Sequence, residues 1–241
     1  MIRTIDEAIA EIQVLWQRFE NGNDRRSIFA YAYSLFLQQI ANAAQGGRFR
    51  NWGWILDFEM QLAREYLATV AKFELHSASV PAAWRLAFEY AVHPESDAYV
   101  DLLLGINGLV ICNLPRALAK VGIQTETGEV HRYDYDTIDT LIAASADAIR
   151  NQVLQRFDAN FKNSFWRHDD FDDLTAGENL RVLREIAWRD AERLIWLNRV
   201  GMGRLVLWAI DRRAERQARK FVSTLARLRT ESAHASLPTG D

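Results

Sequence analysis

The stretch Asp101-Leu-Leu-Leu-Gly-Ile-Asn-Gly-Leu-Val-Ile-Cys-Asn-Leu-Pro-Arg-Ala-Leu118 decides how the rest of the chain is read. It is the most apolar run in the sequence, and only Asn107 and Asn113 interrupt its apolar core. A helix that is apolar all round must be covered on all sides. The run from Leu102 to Leu118 is shorter than the about 20 mostly apolar residues a spanning helix needs, and it carries two glycines, two asparagines, Pro115 and Arg116. It predicts a buried core helix from near Glu95 to about Lys120, kinked or shortened at Pro115, and no membrane span.

The flanking segments read as amphipathic helices. Thr4 and Glu7 have capping-box spacing, and Ile5, Ile9, Ile12, Leu15, Trp16 and Phe19 recur at helical intervals. A second helix is expected from about Arg25 to Ala44, a third from near Asn51 toward Phe73, and a short one from Pro81 to about Val92. Beyond the central run, Gly122 to Arg132 is the clearest loop. Helix is expected again from Thr137 to about Phe157, and residues 158–174 look irregular. Thr175 and Glu178 repeat the capping-box spacing ahead of a long helix, and a last helix follows Gly203 to about Leu228. The expectation is an all-α, single-domain bundle of about eight helices over residues 1–229, followed by a disordered tail, 230–241.

Composition agrees. Four prolines and twelve glycines are too few for a many-turned all-β chain, and a net charge of -3 gives no general reason to expect a nucleic-acid partner. A single cysteine, Cys112, excludes an internal disulfide, and the opening Met-Ile-Arg-Thr-Ile-Asp-Glu shows no apolar signal core. Both favour a cytoplasmic setting. Eight Trp, twelve Phe and seven Tyr are enough for a large aromatic core or for the lining of an apolar pocket.

The candidate chemistry is sparse. Asn107 and Asn113 sit in the greasiest helix, where an unpaired buried amide costs roughly 1–3 kcal/mol. They either bond neighbouring helices or point at a ligand, and they lie about 120° apart around the axis, so one small site would not easily use both. Asp169, Asp170 and Asp173 match an Asp-Asp-x-x-Asp pattern of the magnesium and diphosphate sites of isoprenoid synthases, but the second metal segment of those enzymes is missing. The five histidines have no i+4 partner and no cysteine pair, so no zinc site or other cofactor is called for. Cys112 lies in apolar surroundings that raise a thiol's pKa, which argues against a nucleophile. Seven Lys/Arg against Asp211 and Glu215 make the segment Asp211–Arg229 basic, as a solvated helix face would be.

Several segments together resemble a family of bacterial all-helical proteins catalogued as a domain of unknown function. The segments are Asp24-Arg25-Arg26-Ser27-Ile28-Phe29-Ala30-Tyr31-Ala32-Tyr33, Ala63-Arg64-Glu65-Tyr66-Leu67, Pro81-Ala82-Ala83-Trp84-Arg85-Leu86-Ala87-Phe88, Leu104-Gly105-Ile106-Asn107, Asp134-Tyr135 with Ile138-Asp139, and Ala187-Trp188-Arg189-Asp190-Ala191. In that family the central helix typically reads Gly-Met-Asn-Ala-His-Ile-Asn-x-Asp-Leu, and its His, Asn and Asp are natural candidates for a polar site. Here Gly105 and Asn107 match, whereas Leu109, Ile111 and Asn113 stand at those three positions. The resemblance implies the fold, and it implies that acid–base or metal chemistry through that His and Asp is not available here.

The leading expectation is a small-molecule enzyme or binding protein with an apolar, aromatic-lined pocket beside the central helix, taking a small hydrophobic molecule without a metal or cofactor. Asn107, Asn113, Glu59 and Asp190 are its candidate polar and catalytic groups, and Tyr66, Trp84 and Trp188 its candidate substrate-binding aromatics. The alternatives are a non-enzymatic helical interaction protein, with homo-oligomers as one form, and a magnesium-dependent diphosphate enzyme using Asp169, Asp170 and Asp173.

Overall fold

A computed structural model describes residues 2–93, 96–125, 127–157 and 177–235, with backbone alone at 177–179 and 228–235. The described residues form eight helices: α1 (Ile5–Asn21), α2 (Ser27–Gln45), α3 (Trp52–Glu74), α4 (Ala82–Ala91), α5 (Ala98–Val121), α6 (Arg132–Phe157), α7 (Gly177–Asn198) and α8 (Gly203–Ala235). Among them, β-structure is limited to one isolated bridge, Gln124 to Val130, in the loop before α6. The fold is all-α, as the periodicity predicts.

Local signals start the helices where they were read. The Thr4 hydroxyl accepts from Glu7 N at 3.1 Å, and the Glu7 carboxylate accepts from Arg3 N at 2.7 Å. Asn51 Oδ1 accepts from Trp54 N at the head of α3, and Asp97 Oδ1 accepts from Tyr99 N at the head of α5. The Asp169–Asp173 run and the Thr175–Glu178 spacing lie outside the described residues. The last helix continues to Ala235, past its expected end near Leu228, so residues 230–235 of the expected tail are helical, and 236–241 lie outside the described residues. Helix α6 begins five residues before the expected Thr137. Its first turn is held by Asp134, whose two carboxylate oxygens accept from Arg50 N at 2.7 Å and Asn51 N at 2.9 Å, fixing the α2–α3 turn to α6.

Helix α5 is longer than its apolar run. At 24 residues it is long and apolar enough to cross a membrane by length and composition, yet 78% of its apolar window is buried inside the fold. It packs against α2, α3, α4, α6, α7 and α8. Pro115 does not shorten it. Residues Gly108–Asn113 form a π-helical turn, and Pro115 falls in the first turn of the α-helical part that follows, where a missing N–H costs little. Around its middle, Phe29, Tyr66 and Trp84 meet with ring centroids 5.3–5.7 Å apart, in tilted and edge-on pairs that aromatic quadrupoles favour.

Candidate functional site

Helices α2, α3, α5, α6 and α7 line a half-open cavity of roughly 120 Å³ beside the central helix. Such a volume approaches that of an engineered cavity that holds a benzene ring, about 150 Å³. Its walls are chiefly apolar, with Phe29 and Phe36 from α2, Leu62 from α3, Leu102 and Leu109 from α5, and Ile142 from α6. The stripe positions of these helices turn the same side chains inward that bury the core, so the cavity is a local failure of that stripe to close.

Five polar side chains also line it: Ser145 and Arg150 of α6, and Glu59, Tyr33 and Arg184. Glu59, on α3, is 1% exposed, and its Oε2 has no hydrogen-bond partner. Tyr33, on α2, is buried, and its hydroxyl also has none. Arg184, on α7, is buried and committed elsewhere: its Nε pairs with Asp139, its Nη2 donates to Tyr135 O at 3.2 Å, and its guanidinium lies 4.1 Å from the Tyr135 ring centroid. Tyr135 in turn donates its hydroxyl to Arg184 O at 2.7 Å.

Burial pushes the Glu59 carboxyl up to about 7, with Arg184 pulling the other way. Burial, and then the Glu59 charge, push the Tyr33 phenol well above its ordinary value. The arrangement can hold a small, largely apolar molecule, offer it a hydroxyl and a carboxyl with unmet hydrogen-bonding capacity, and exchange a proton with it near neutral pH.

The raised Glu59 carboxyl has a pH signature. It holds its proton more tightly in the folded chain than in the unfolded one, so the stability it contributes is full below the unfolded value and is lost as pH rises through about 7. The unfolding free energy should fall from about pH 5 to about pH 8, with Glu59 contributing on the order of 3 kcal/mol. Asp101, which burial raises to about 7 against its ion pair with Arg25, contributes with the same sign. Urea titrations of the wild type and Glu59→Gln at both pH values isolate the Glu59 part. An unchanged slope in the variant would assign the whole effect to other groups.

The other sequence candidates lie away from this cavity. Asn107 donates Nδ2 to Ala214 O of α8 at 2.9 Å, while Asn113 accepts from Trp84 Nε1 of α4 at 3.0 Å. The two amides thus bond different helices. Asn113 borders a separate polar cleft of about 350 Å³ together with Lys72, Arg116 and Asp211. Asp190 is buried and paired with Arg193 at 3.2 Å and with Arg213. Tyr66 and Trp84 are fully buried in the aromatic cluster, and Trp188 packs on Tyr135 and donates to Glu192 Oε1 at 2.9 Å. Burial lifts the Cys112 thiol to about 12. Among the described residues, no three His, Cys, Asp or Glu side chains converge as a metal site would require.

Sequence reasoning named Glu59 but missed Tyr33 and Arg184. A signal for Arg184 was present. Leu180, Ala187, Ala191 and Leu194 form the inward stripe of α7, and Arg184 falls on it, four residues after the first and three before the second. A charge on an apolar stripe must be paired, and Asp139 of the Ile138-Asp139 segment is the partner.

A family model described as "Family of unknown function (DUF5995)" matches residues 5–224. No curated protein and no solved structure matches the chain.

Proposed function

We propose, from the premise that this chain belongs to the DUF5995 family of unknown function, that it takes a small, mostly apolar molecule with one hydrogen-bonding group into the cavity beside α5. What carries this reading is the placement of two unpartnered polar atoms, Glu59 Oε2 and Tyr33 Oη, in one apolar cavity. Each unmet group costs roughly 1–3 kcal/mol, which a ligand supplying the complementary atom would recover. If the protein is an enzyme, Glu59 is its general acid or base, because a carboxyl near 7 can both give and take a proton at neutral pH.

The family's polar positions bear on the ligand. Leu109, at the position of the family's histidine, lines the cavity, and Ile111 and Asn113 are buried beside it on the π turn. An imidazole there would make the cavity polar, whereas leucine makes it apolar, so this chain is suited to a less polar ligand than a relative carrying histidine.

The test is native mass spectrometry of the purified protein, followed by thermal shifts with small apolar alcohols and amines. A bound mass, or saturable stabilisation that falls at least about tenfold in affinity in Leu109→Phe, is expected, since the ring occupies ligand space. A protein that carries nothing, responds to no probe and is simply stabilised by Leu109→Phe would have a packing defect there and no site.

A further inference from the structure

The turn that joins α7 to α8 is apolar on the outside. Trp196, Val200, Met202, Leu205 and Trp208 are 47–64% exposed, and they are five of the eleven large apolar side chains exposed among the described residues. Chance scatter would not gather them within thirteen positions, and both strongly exposed tryptophans are here. Nor are they needed by the core. Leu194, Val206 and Ile210 face inward and pack with Ala119, and Leu205, Trp208 and Arg212 follow one another at helical spacing on the outer face of α8. The turn itself is fixed from within, by Met202 N donating to Leu197 O at 2.8 Å and by Gly201 at φ 75°.

Between Glu192 and Asp211 the charged residues have one sign, and one of them, Arg193, is paired with Asp190. From Arg193 to Ile210 the chain has Arg193, Arg199 and Arg204 and no acidic residue. Arg199 and Arg204 are exposed and make no ion pair among the described residues. Exposed tryptophans among unpaired arginines suit the boundary of an anionic bilayer, where indole rings settle at headgroup depth and guanidinium groups pair with phosphate. A second copy meeting this patch across a twofold axis would set the same arginines against one another.

We propose that the α7–α8 turn is a docking surface for a membrane rich in anionic lipid, with Trp196 and Trp208 entering the headgroup layer and Arg199 and Arg204 pairing with lipid phosphates. It is independent of the cavity and of whatever occupies it.

The experiment is flotation of the full chain with vesicles of phosphatidylcholine alone and of phosphatidylcholine with about one third phosphatidylglycerol, beside sedimentation equilibrium without lipid. Co-flotation with the anionic vesicles only, weakened in about 0.5 M salt, is expected. Trp196→Ser with Trp208→Ser should lower the partition constant at least about tenfold, and Arg199→Gln with Arg204→Gln roughly twentyfold, both with unchanged thermal melting because the four side chains are exposed. The assignment is overturned by an absence of flotation, by equal flotation on both compositions, or by flotation that both variants retain. It is also overturned by a dimer that the tryptophan variant dissociates in a chain that ignores vesicles, an outcome that gives the patch to self-association.

Discussion

Replacing Gly105 with alanine should lower the unfolding free energy by about 3 kcal/mol, although alanine is the better helix former by about 1 kcal/mol. A Cβ at Gly105 would clash with Cγ, Cδ2 and Cβ of Phe29. Tyr33 stacks on one side of Phe29 at 6.1 Å and Tyr66 and Trp84 meet it edge-on, so the room left to the ring is on its cavity side and the shift disturbs all three contacts. Gly108→Ala meets the Trp84 indole at 2.5–2.8 Å, and that indole is tethered through Nε1 to Asn113, so its penalty should be of the same size. Gly53→Ala is the control. It lies in helix α3 with only Asn51 Oδ1 at 3.5 Å, and it should be neutral or stabilising. Urea denaturation of the three variants checks the set, and a Gly105→Ala protein as stable as Gly53→Ala would mean that α5 and α2 are not this close.

Arg184→Met should cost about 3–5 kcal/mol, the usual result of stripping one partner from a buried ion pair. The side chains of Arg184 and Asp139 are 4% and 10% exposed, so the stranded carboxylate finds little water. Tyr135 O also loses a donor. Adding Asp139→Leu to Arg184→Met should recover much of the loss, because the uncompensated charge is then gone. The single and double variants, compared in chemical denaturation, form a cycle whose coupling term should be large. Arg184 also pulls the Glu59 carboxyl downward, so the pH midpoint assigned to Glu59 should move upward in Arg184→Met.

Both expectations concern residues whose importance was only half visible in the sequence. The glycines of the central stretch signalled close approach, and the pattern of each helix told which face turns inward, because burial of a stripe leaves a period in the chain. What Phe29 or Trp84 would fill could not be read, since that depends on which helix crosses α5 at that level. The π turn at Gly108–Asn113 was also hidden, as one extra residue in a fully apolar helix changes no hydrophobic period. Asn107 and Asn113 were legible as buried amides with obligations to meet, but their partners, Ala214 and Trp84, are contributed by α8 and α4. The cavity is legible least of all, because five helices make it jointly and none carries a mark of it. The segments on which the resemblance rests are rich in internal ties: Asp24 with Arg26, Asp134 with the α2–α3 turn, Asp139 with Arg184, Asp190 with Arg213.

The place of α5 in the chain has a consequence for synthesis. The helix that touches nearly every other one is encoded in the middle, and two of its covers, α7 and α8, come last. Once it has cleared the tunnel, and while the residues of α7 and α8 are still being made, a segment apolar enough to cross a bilayer stands outside with only part of its coat in place. The nascent chain passes through an interval in which it resembles a membrane protein in search of lipid, and that interval closes only when α8 is released to lie against it.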